Sequence, residues 1–497
     1  MKKITALAFL IISFTLSLSC GTNKEDRGKM LAETYCGSCH LYPDPNILDK
    51  ATWENGVLPE MGIRMGQLDN FNKLASFSQD ELLEKINHHI YSDKPYMSQE
   101  DWELLKAYIL SKAPEKPLAQ KNKIPIDTNE SNLFKTIIKP SKLDLYGNTI
   151  SITLKEGEKG FSISSESKHW VNFDEKGNMT SYQDVPGTFV QTISRNNQKF
   201  SLSIGRMNPN ELKLGKLYKL ENNEYTPISH IDSLRRPVSF QIGDLNQDGI
   251  DDFVICEFGF EVGQLSWFDG KTSKKHVLKS DPGARNIILK DFNKDGKLDI
   301  LALMTQSREG VYLFLNKGNN NFEEKALLTF QPAFGSSYLE LADLNQDGKE
   351  DFIIANGDNG DYSYSKKNYH GIHYFENQGN FEYKEKLFFP IYGLTKAILK
   401  DFDQDGDLDI ASTAYYFEKD QKQNERFLYF ENKGNLKFTC SNFNIPYSGK
   451  YIALEAGDID LDGDLDIILG SYKIDKRIEE GELMGHQFTL LLNQLNK

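Results

Sequence analysis

Cysteine is scarce in this sequence: five in 497 residues, which excludes a disulfide-built scaffold at this length. Cations are outnumbered as well, 58 Lys and Arg against 72 Asp and Glu, for a formal net charge of −14. A phosphate backbone is held by an excess of cations, so this balance argues against nucleic acid as the partner. Beyond the first nineteen residues no apolar run approaches the length that spans a bilayer. There is no GxSxG, no HExxH and no phosphate-binding loop, and so no nucleophile constellation that would mark an enzyme. What is present is enough to fold: 39% hydrophobic and 12% aromatic residues exclude a largely disordered chain. The length calls for at least two domains, or one large repeat domain with an accessory.

Lys2 and Lys3 precede an apolar run from Ile4 to Ser19, the pattern of a secretory signal over residues 1–19. The run ends Leu16-Ser17-Leu18-Ser19-Cys20, with small residues just before a cysteine. This resembles the lipobox of bacterial lipoproteins, although Ser17 stands where that pattern usually has Leu. Plain cleavage with an incidental cysteine is the alternative. The resemblance implies acylation of Cys20, a tether over 20–27 and contact with a membrane through the lipid anchor only. It further implies export to the periplasm or cell surface of a Gram-negative-type bacterium.

Cys36-Gly37-Ser38-Cys39-His40 has the spacing of covalent haem attachment. Two thiols on one helical turn can each add to a vinyl group, and the next residue presents its imidazole to the iron. A thioredoxin-like pair would need a βαβ context and a zinc site a second Cys/His pair; neither surrounds the motif. Gly28 to Tyr35 has the pattern of an amphipathic helix leading into it. Ser98 caps a second helix, Gln99 to Lys112, with Trp102, Leu105 and Ile109 on one face.

With these flanks, residues 28–115 resemble the small monohaem cytochromes c. The resemblance implies one haem c bound covalently through Cys36 and Cys39, His40 as an axial ligand, single-electron transfer and a redox partner protein. Met61, in Pro-x-Met-Gly, is the first choice for the sixth ligand. Met65, four residues on, and the pair His88/His89 are alternatives; Met97 is expected to pack on the helix it precedes. Residues 116–131, rich in Pro, Lys, Gln and Asn, are expected to be a linker.

The most informative feature is a repeat, D-x-[DN]-x-D-G-x-x-D, present five times at intervals of 47, 52, 58 and 57 residues. Loop positions 1, 3, 5, 7 and 9 are Asp244, Asn246, Asp248, Ile250 and Asp252 in the first copy, and Asp291, Asn293, Asp295, Lys297 and Asp299 in the second. The third has Asp343, Asn345, Asp347, Lys349 and Asp351; the fourth has Asp401, Asp403, Asp405, Asp407 and Asp409. The fifth has Asp458, Asp460, Asp462, Asp464 and Asp466. Side-chain oxygens at 1, 3, 5 and 9 with a carbonyl at 7 suit Ca²⁺, and Gly at 6 permits the sharp turn. An EF-hand would carry Glu at position 12, where this chain has Ile255, Ala302, Ile354, Ser412 and Leu469. About five Ca²⁺ ions are therefore expected.

Apolar residues at period two precede each loop, and runs such as FVIC, ILAL and FIIA follow it, so the loops join strands. A third strand follows in GQLSWFD, GVYLFLN, GIHYFEN, RFLYFEN and HQFTLLLN, and a fourth in FEEKALLTF and FEYKEKLFF. Four strands per repeat of about 50 residues is the period of a propeller blade. The loops resemble those of the FG-GAP/VCBS repeat family. Segments 169–179 and 215–228 share the third-strand pattern without acidic loops, which makes seven blades. The last blade lacks a fourth strand, and Leu133 to Lys139 is expected to supply it. The fold expected is thus a small all-α cytochrome c domain followed by an all-β seven-bladed β-propeller over 132–497.

The face opposite the acidic loops gathers long inserts at Gly357–Gly371, Glu418–Arg426 and Lys473–Gly485, with Arg235, Arg236, Arg285, Lys396 and Lys450 near its rim. A cationic, aromatic-flanked mouth would suit a glycan or an anionic ligand. Cys256 and Cys440 fall in strands of different blades and are expected as core thiols. The function that follows is an exported haem electron-transfer protein whose calcium propeller is a docking or ligand-binding platform. The alternatives are a haem-linked oxidoreductase or carbohydrate-active enzyme acting at the propeller mouth, and a surface adhesin. The acidity also finds a place. Loop positions 1, 3, 5 and 9 carry seventeen carboxylates, and five Ca²⁺ would bring the net charge to about −4.

Overall fold

The structure, a computed structural model, describes residues 23–67, 77–127, 133–139, 148–359, 365–416, 425–443, 445, 450–472 and 486–496. The expected signal 1–19, Cys20, Tyr362, Tyr364 and the inserts 418–424 and 473–485 lie outside the described residues.

The N-terminal part is helical. Helix α1 (Lys24–Cys36) starts four residues before Gly28, inside the segment expected as a tether. Asn23 caps it by accepting from the Glu25 amide, and Glu25 and Asp26 sit favourably at its positive end. After α2 (Lys50–Thr52) a π turn over Trp53–Val57 leads into α3 (Leu58–Arg64). Helix α4 (Gln79–Asn87) opens with a capping box between Ser78 and Glu81, and α5 (Gln99–Lys112) opens on Ser98. Ion pairs Arg27–Asp101 (2.6 Å) and Lys112–Glu25 (2.5 Å) lock the first turns of α1 to α5. The two helices cross closely because residue 28 is glycine. A Cβ there would lie 2.5 Å from the Leu104 carbonyl oxygen and 2.8 Å from Tyr108 Cβ. Trp102, Leu105 and Ile109 of α5 are buried against Leu31, Trp53, Leu58, Met65 and Met97.

The rest is a seven-bladed β-propeller. The blades span 149–184, 189–227, 237–279, 284–329, 336–390, 394–441 and 450–493, each an antiparallel sheet in sequence order. First strands of neighbouring blades pack on one another, so they line the axis. Apolar clusters fill the wedges between blades, for example Leu454, Ile467 and Leu469 of blade 7 against Ile398, Ala411 and Tyr429 of blade 6.

Blades 1 and 2 lack acidic loops and contain the segments 169–173 and 216–221 as third strands. Blade 7 receives its fourth strand from Phe134–Ile138, which pairs antiparallel with Phe488–Asn493 in the register Phe134↔Asn493 to Ile138↔Thr489. The first and last parts of the ring are thereby joined, which removes two open sheet edges.

The acidic loops join first and second strands and share one face. The helical unit sits on the other, built from the 2–3 and 4–1 connections. Asp44 N–H donates to Gln331 Oε1 (3.2 Å), Ser365 Oγ–H donates to Asp49 Oδ2 (2.7 Å), and Ala333 packs into the helical core. From there residues 116–127, expected as a linker, run down the outside of the propeller. The Gln120 side-chain amide donates to the His370 carbonyl at 2.7 Å, Lys123 pairs with Glu425, and Ile124 and Ile126 pack on the core between blades 5 and 6. Ile126–Asp127 adds a short parallel fifth strand to blade 6. Alternating apolar residues on this strap found a groove to fill, and that depends on the propeller surface rather than on local periodicity.

Candidate functional site

Each acidic loop is organised by its own carboxylates. In blade 3 Asp244 accepts from the amides of Asp248 (3.1 Å) and Gly249 (2.9 Å), and Asp248 accepts from Ile250 (3.0 Å). Gly249, at position 6, has φ +85°, which glycine alone adopts freely. Position 4 is also left-handed although it is never glycine: Gln247, Lys294, Gln346, Gln404 and Leu461 all have φ between 55° and 60°.

Position 9 is placed differently. Asp252, Asp299, Asp351, Asp409 and Asp466 are fully buried at the start of the second strand. In every copy one carboxylate oxygen accepts from the amide of position 2, such as Leu245 (2.9 Å) or Ile459 (2.9 Å). The other accepts from an amide at the end of the third strand: Gly270, Asn316, Asn377, Asn432 or Asn493, at 2.8–2.9 Å. This carboxylate fastens the loop to the blade, whatever else it binds.

Asn316, Asn377, Asn432 and Asn493 complete the fastening. Each donates its side-chain amide to the carbonyl of position 8, namely Leu298, Glu350, Leu408 or Leu465. Sequence reasoning used these asparagines only to mark a strand. Their recurrence at the end of LFLN, YFEN and LLLN was the signal for a role at the loops.

The five loops fall into two classes. In blades 6 and 7, Asp401/Asp403/Asp405 and Asp458/Asp460/Asp462 each bring three carboxylate oxygens within 4.8 Å of one another. Burial, followed by the charges of Asp409 and Asp405, pushes Asp403 up to about 7, and burial above all pushes Asp409 to about 6 and Asp466 to about 7. Such crowding of negative charge suits a hard divalent cation. In blades 3 to 5 position 3 is the neutral Asn246, Asn293 or Asn345. Two of these loops place a lysine at position 7 whose ammonium meets the position-5 carboxylate: Lys297–Asp295 (3.0 Å) and Lys349–Asp347 (2.9 Å).

The cysteine–histidine motif lies at the C-terminal end of α1. Cys36 is part-buried, Cys39 is exposed, and both are free thiols. Burial raises the Cys36 thiol to about 11, with a smaller push from Cys39. The His40 Nδ1 stands 2.8 Å from the Leu41 carbonyl oxygen. A carbonyl only accepts, so the proton is on Nδ1 and Nε2 carries the lone pair. Burial lowers the imidazole pKa and outweighs the Leu41 hydrogen bond, which raises it, so the neutral ring with an open Nε2 is favoured. Met61 is half-buried on α3, whereas Met65 and Met97 are buried in the helical core. His88 Nε2 lies 3.1 Å from the Arg235 guanidinium, so it is engaged with the propeller; His89 is exposed with φ 54°.

The cationic rim is built into the fold. Arg236 donates to the carbonyls of Met207 (3.1 Å) and Gly259 (3.2 Å), and Arg285 donates to that of Ser337 (2.6 Å). Both guanidinium groups lie over the Phe258 ring. Lys396 pairs with Glu455 (2.8 Å) over Tyr338, and Lys450 lies over Tyr415. A cavity of about 430 Å³ opens in the central channel, with Ser151, Thr153, Gln191, Thr192, Lys396 and Glu455 among its lining. Cys256 and Cys440 are buried in separate blades.

A family model for FG-GAP-like repeats matches residues 244–302, 291–354 and 401–469, the stretches that contain the five loops. Among solved structures, a chain from an S. cerevisiae assembly of variant Dbp5 bound to Nup159, variant Gle1, IP6 and ADP is similar at 11% identity and TM-score 0.41. The match covers 76% of this chain and 98% of that one. BBS1N from its complex with ARL6DN is similar at 9% identity and TM-score 0.41, covering 74% and 93%. The Pan2 WD40 domain of Neurospora crassa is similar at 8% identity and TM-score 0.46, covering 75% and 98%. The chain therefore carries FG-GAP-like repeats within a seven-bladed propeller, an architecture that suggests a binding platform.

Proposed function

We propose that this protein is an exported haem electron-transfer protein in which a calcium-loaded propeller serves as the platform for a haem-bearing helical unit. The observation that carries the reading is the Cys36–Cys39–His40 arrangement, with two free thiols beside an imidazole whose Nε2 lone pair is available. Covalent haem would supply one-electron chemistry there. Cys36 and Cys39 would anchor it, His40 would ligate it with its ring oriented by the Leu41 carbonyl, and Met61, half-exposed on α3, is our choice for the opposite side. Asp, Asn and backbone oxygens of the five loops would hold Ca²⁺, most strongly in blades 6 and 7, where three carboxylates converge. Acylation at Cys20 would tether the protein to a membrane, and a redox partner protein would exchange electrons with it.

A visible redox titration of the full-length protein with and without Ca²⁺ tests the reading. Reversible haem bands and a calcium-dependent rise in melting temperature are expected; a protein without covalent haem after production beside a cytochrome c maturation system overturns it. The channel cavity favours one second reading, a haem-linked oxidoreductase. It requires that an added substrate, such as a sugar, reduce the haem without another donor.

A further inference from the structure

Glu261, in the 2–3 connection of blade 3, joins two helices that make no substantial contact with each other among the described residues. Its Oε1 meets Lys85 Nζ of α4 at 2.6 Å, and its Oε2 meets the Arg64 guanidinium of α3 at 2.9 Å. Lys85 also meets Glu211 of blade 2 at 3.2 Å, and all three side chains are buried: Lys85 at 1%, Glu211 at 0% and Glu261 at 7% exposure. A second set of ion pairs holds the neighbouring Glu84 to Arg235 (2.6 Å) and Lys213 (2.8 Å). Among the described residues, the ion pairs of Lys85 and the two shortest of Glu84 thus tie helix α4 to the propeller.

The helix is also turned the unusual way round. Lys85 is its buried residue, while Leu83 and Ile86 are 49% and 53% exposed. Exposed large apolar side chains are concentrated in this part of the molecule: Met30, Leu41, Leu83, Ile86 and Tyr96 all belong to the helical unit. Leu41 directly follows His40, and α3, the other helix tied to Glu261, carries Met61.

We propose that Glu261 is a positioning residue for the haem site: by holding Arg64 it fixes α3, the helix that carries Met61, against the propeller. The inference rests on the haem reading of Cys36, Cys39 and His40. The propeller then sets how far the crevice opens to water, and with it the potential of the iron.

The test uses the full-length holo-protein with Glu261→Gln, which keeps shape and removes charge. Covalent haem, stained after denaturation, should match wild type because attachment is through the cysteines. The midpoint potential should fall, and the affinity of the oxidised haem for added imidazole should rise by about tenfold or more, which corresponds to about 1.4 kcal/mol of lost crevice closure. Arg64→Gln, which breaks the same pair from the α3 side, should lower the potential too, and it decides the matter if Glu261→Gln does not fold. Haem-loaded variants with wild-type potential and imidazole affinity overturn the clamp while leaving the haem reading intact. A wild-type protein that carries no covalent haem overturns both.

Discussion

The side-chain amide of Gln404 donates to the carbonyl of Gly463 at 3.0 Å, so the acidic loop of blade 6 is bonded directly to that of blade 7. The same link recurs from Gln247 to Gly296 (3.0 Å) and from Gln346 to Gly406 (2.9 Å). Glutamine at position 4 reaches the neighbouring loop because its backbone is left-handed there, which swings the side chain out along the ring. Gln404→Ala should therefore unlink the acidic loops of blades 6 and 7 while leaving the apolar wedge between the blades in place. We expect a stability loss of about 0.5–1 kcal/mol, as for one partly exposed hydrogen bond, and a shallower calcium titration. Thermal melts and calorimetry against Ca²⁺ measure both.

Position 9 and position 5 should separate fastening from metal binding. Asp466→Ala strips the acceptor from the amides of Ile459 and Asn493, both buried, and should destabilise the protein by about 2–5 kcal/mol even in a chelator. Asp462→Ala removes a more exposed carboxylate and should matter chiefly when Ca²⁺ is present. Paired denaturant titrations in chelator and in calcium check this; equal losses for both variants in chelator would refute the distinction.

How much of this could be read in advance follows from where each feature's information sits. The loops, the blade count and the closing strand 134–138 are written as residue identities at fixed spacing, so the repeat made them legible. Gln404 and Asn493 repeat just as faithfully, but their partners lie in another strand or the next blade, and no local pattern names a partner. The burial of Lys85 is the extreme case. On a helix with Leu82, Leu83 and Ile86, periodicity assigns the lysine to solvent, and only Glu211 and Glu261 of the propeller reverse that. The strap over 116–127 shows only one short alternation, Ile124 and Ile126, too brief to mark a strand without the groove that receives it.

Glu309 offers a pH test remote from the acidic loops. It is fully enclosed, accepts from the amides of Gly335 (3.3 Å) and Ser336 (2.6 Å), and burial raises its carboxyl to about 7. A carboxyl whose folded value lies above its unfolded value near 4.5 binds a proton more tightly when folded. Its favourable contribution is therefore complete below about pH 4.5 and is lost as pH rises through 7, by at most about 3 kcal/mol. Glu309→Gln should flatten that segment of the curve, so that the variant gains on wild type between pH 5 and 8. Denaturant midpoints across this range measure it, and parallel curves would refute the assignment.

Ring closure makes the strongest stability prediction. Phe134 stands on the strand that completes blade 7, and its ring meets Phe443, Tyr429 and Phe402 edge-on at centroid distances of 5.2, 5.7 and 6.0 Å. Phe134→Ala should destabilise by about 3–5 kcal/mol, the usual range for a buried aromatic. Val277, 50% exposed on the outer strand of blade 3, is the control, and its alanine variant should stay within about 0.5 kcal/mol of wild type. The location of the damage is as informative as its size. If residues 134–138 close the ring, hydrogen exchange in Phe134→Ala should accelerate first in Phe488–Asn493, the strand they pair with, and then in blade 1 beside it. Uniform acceleration across all seven blades would mean that Phe134 contributes only bulk burial and that the ring is closed by other contacts.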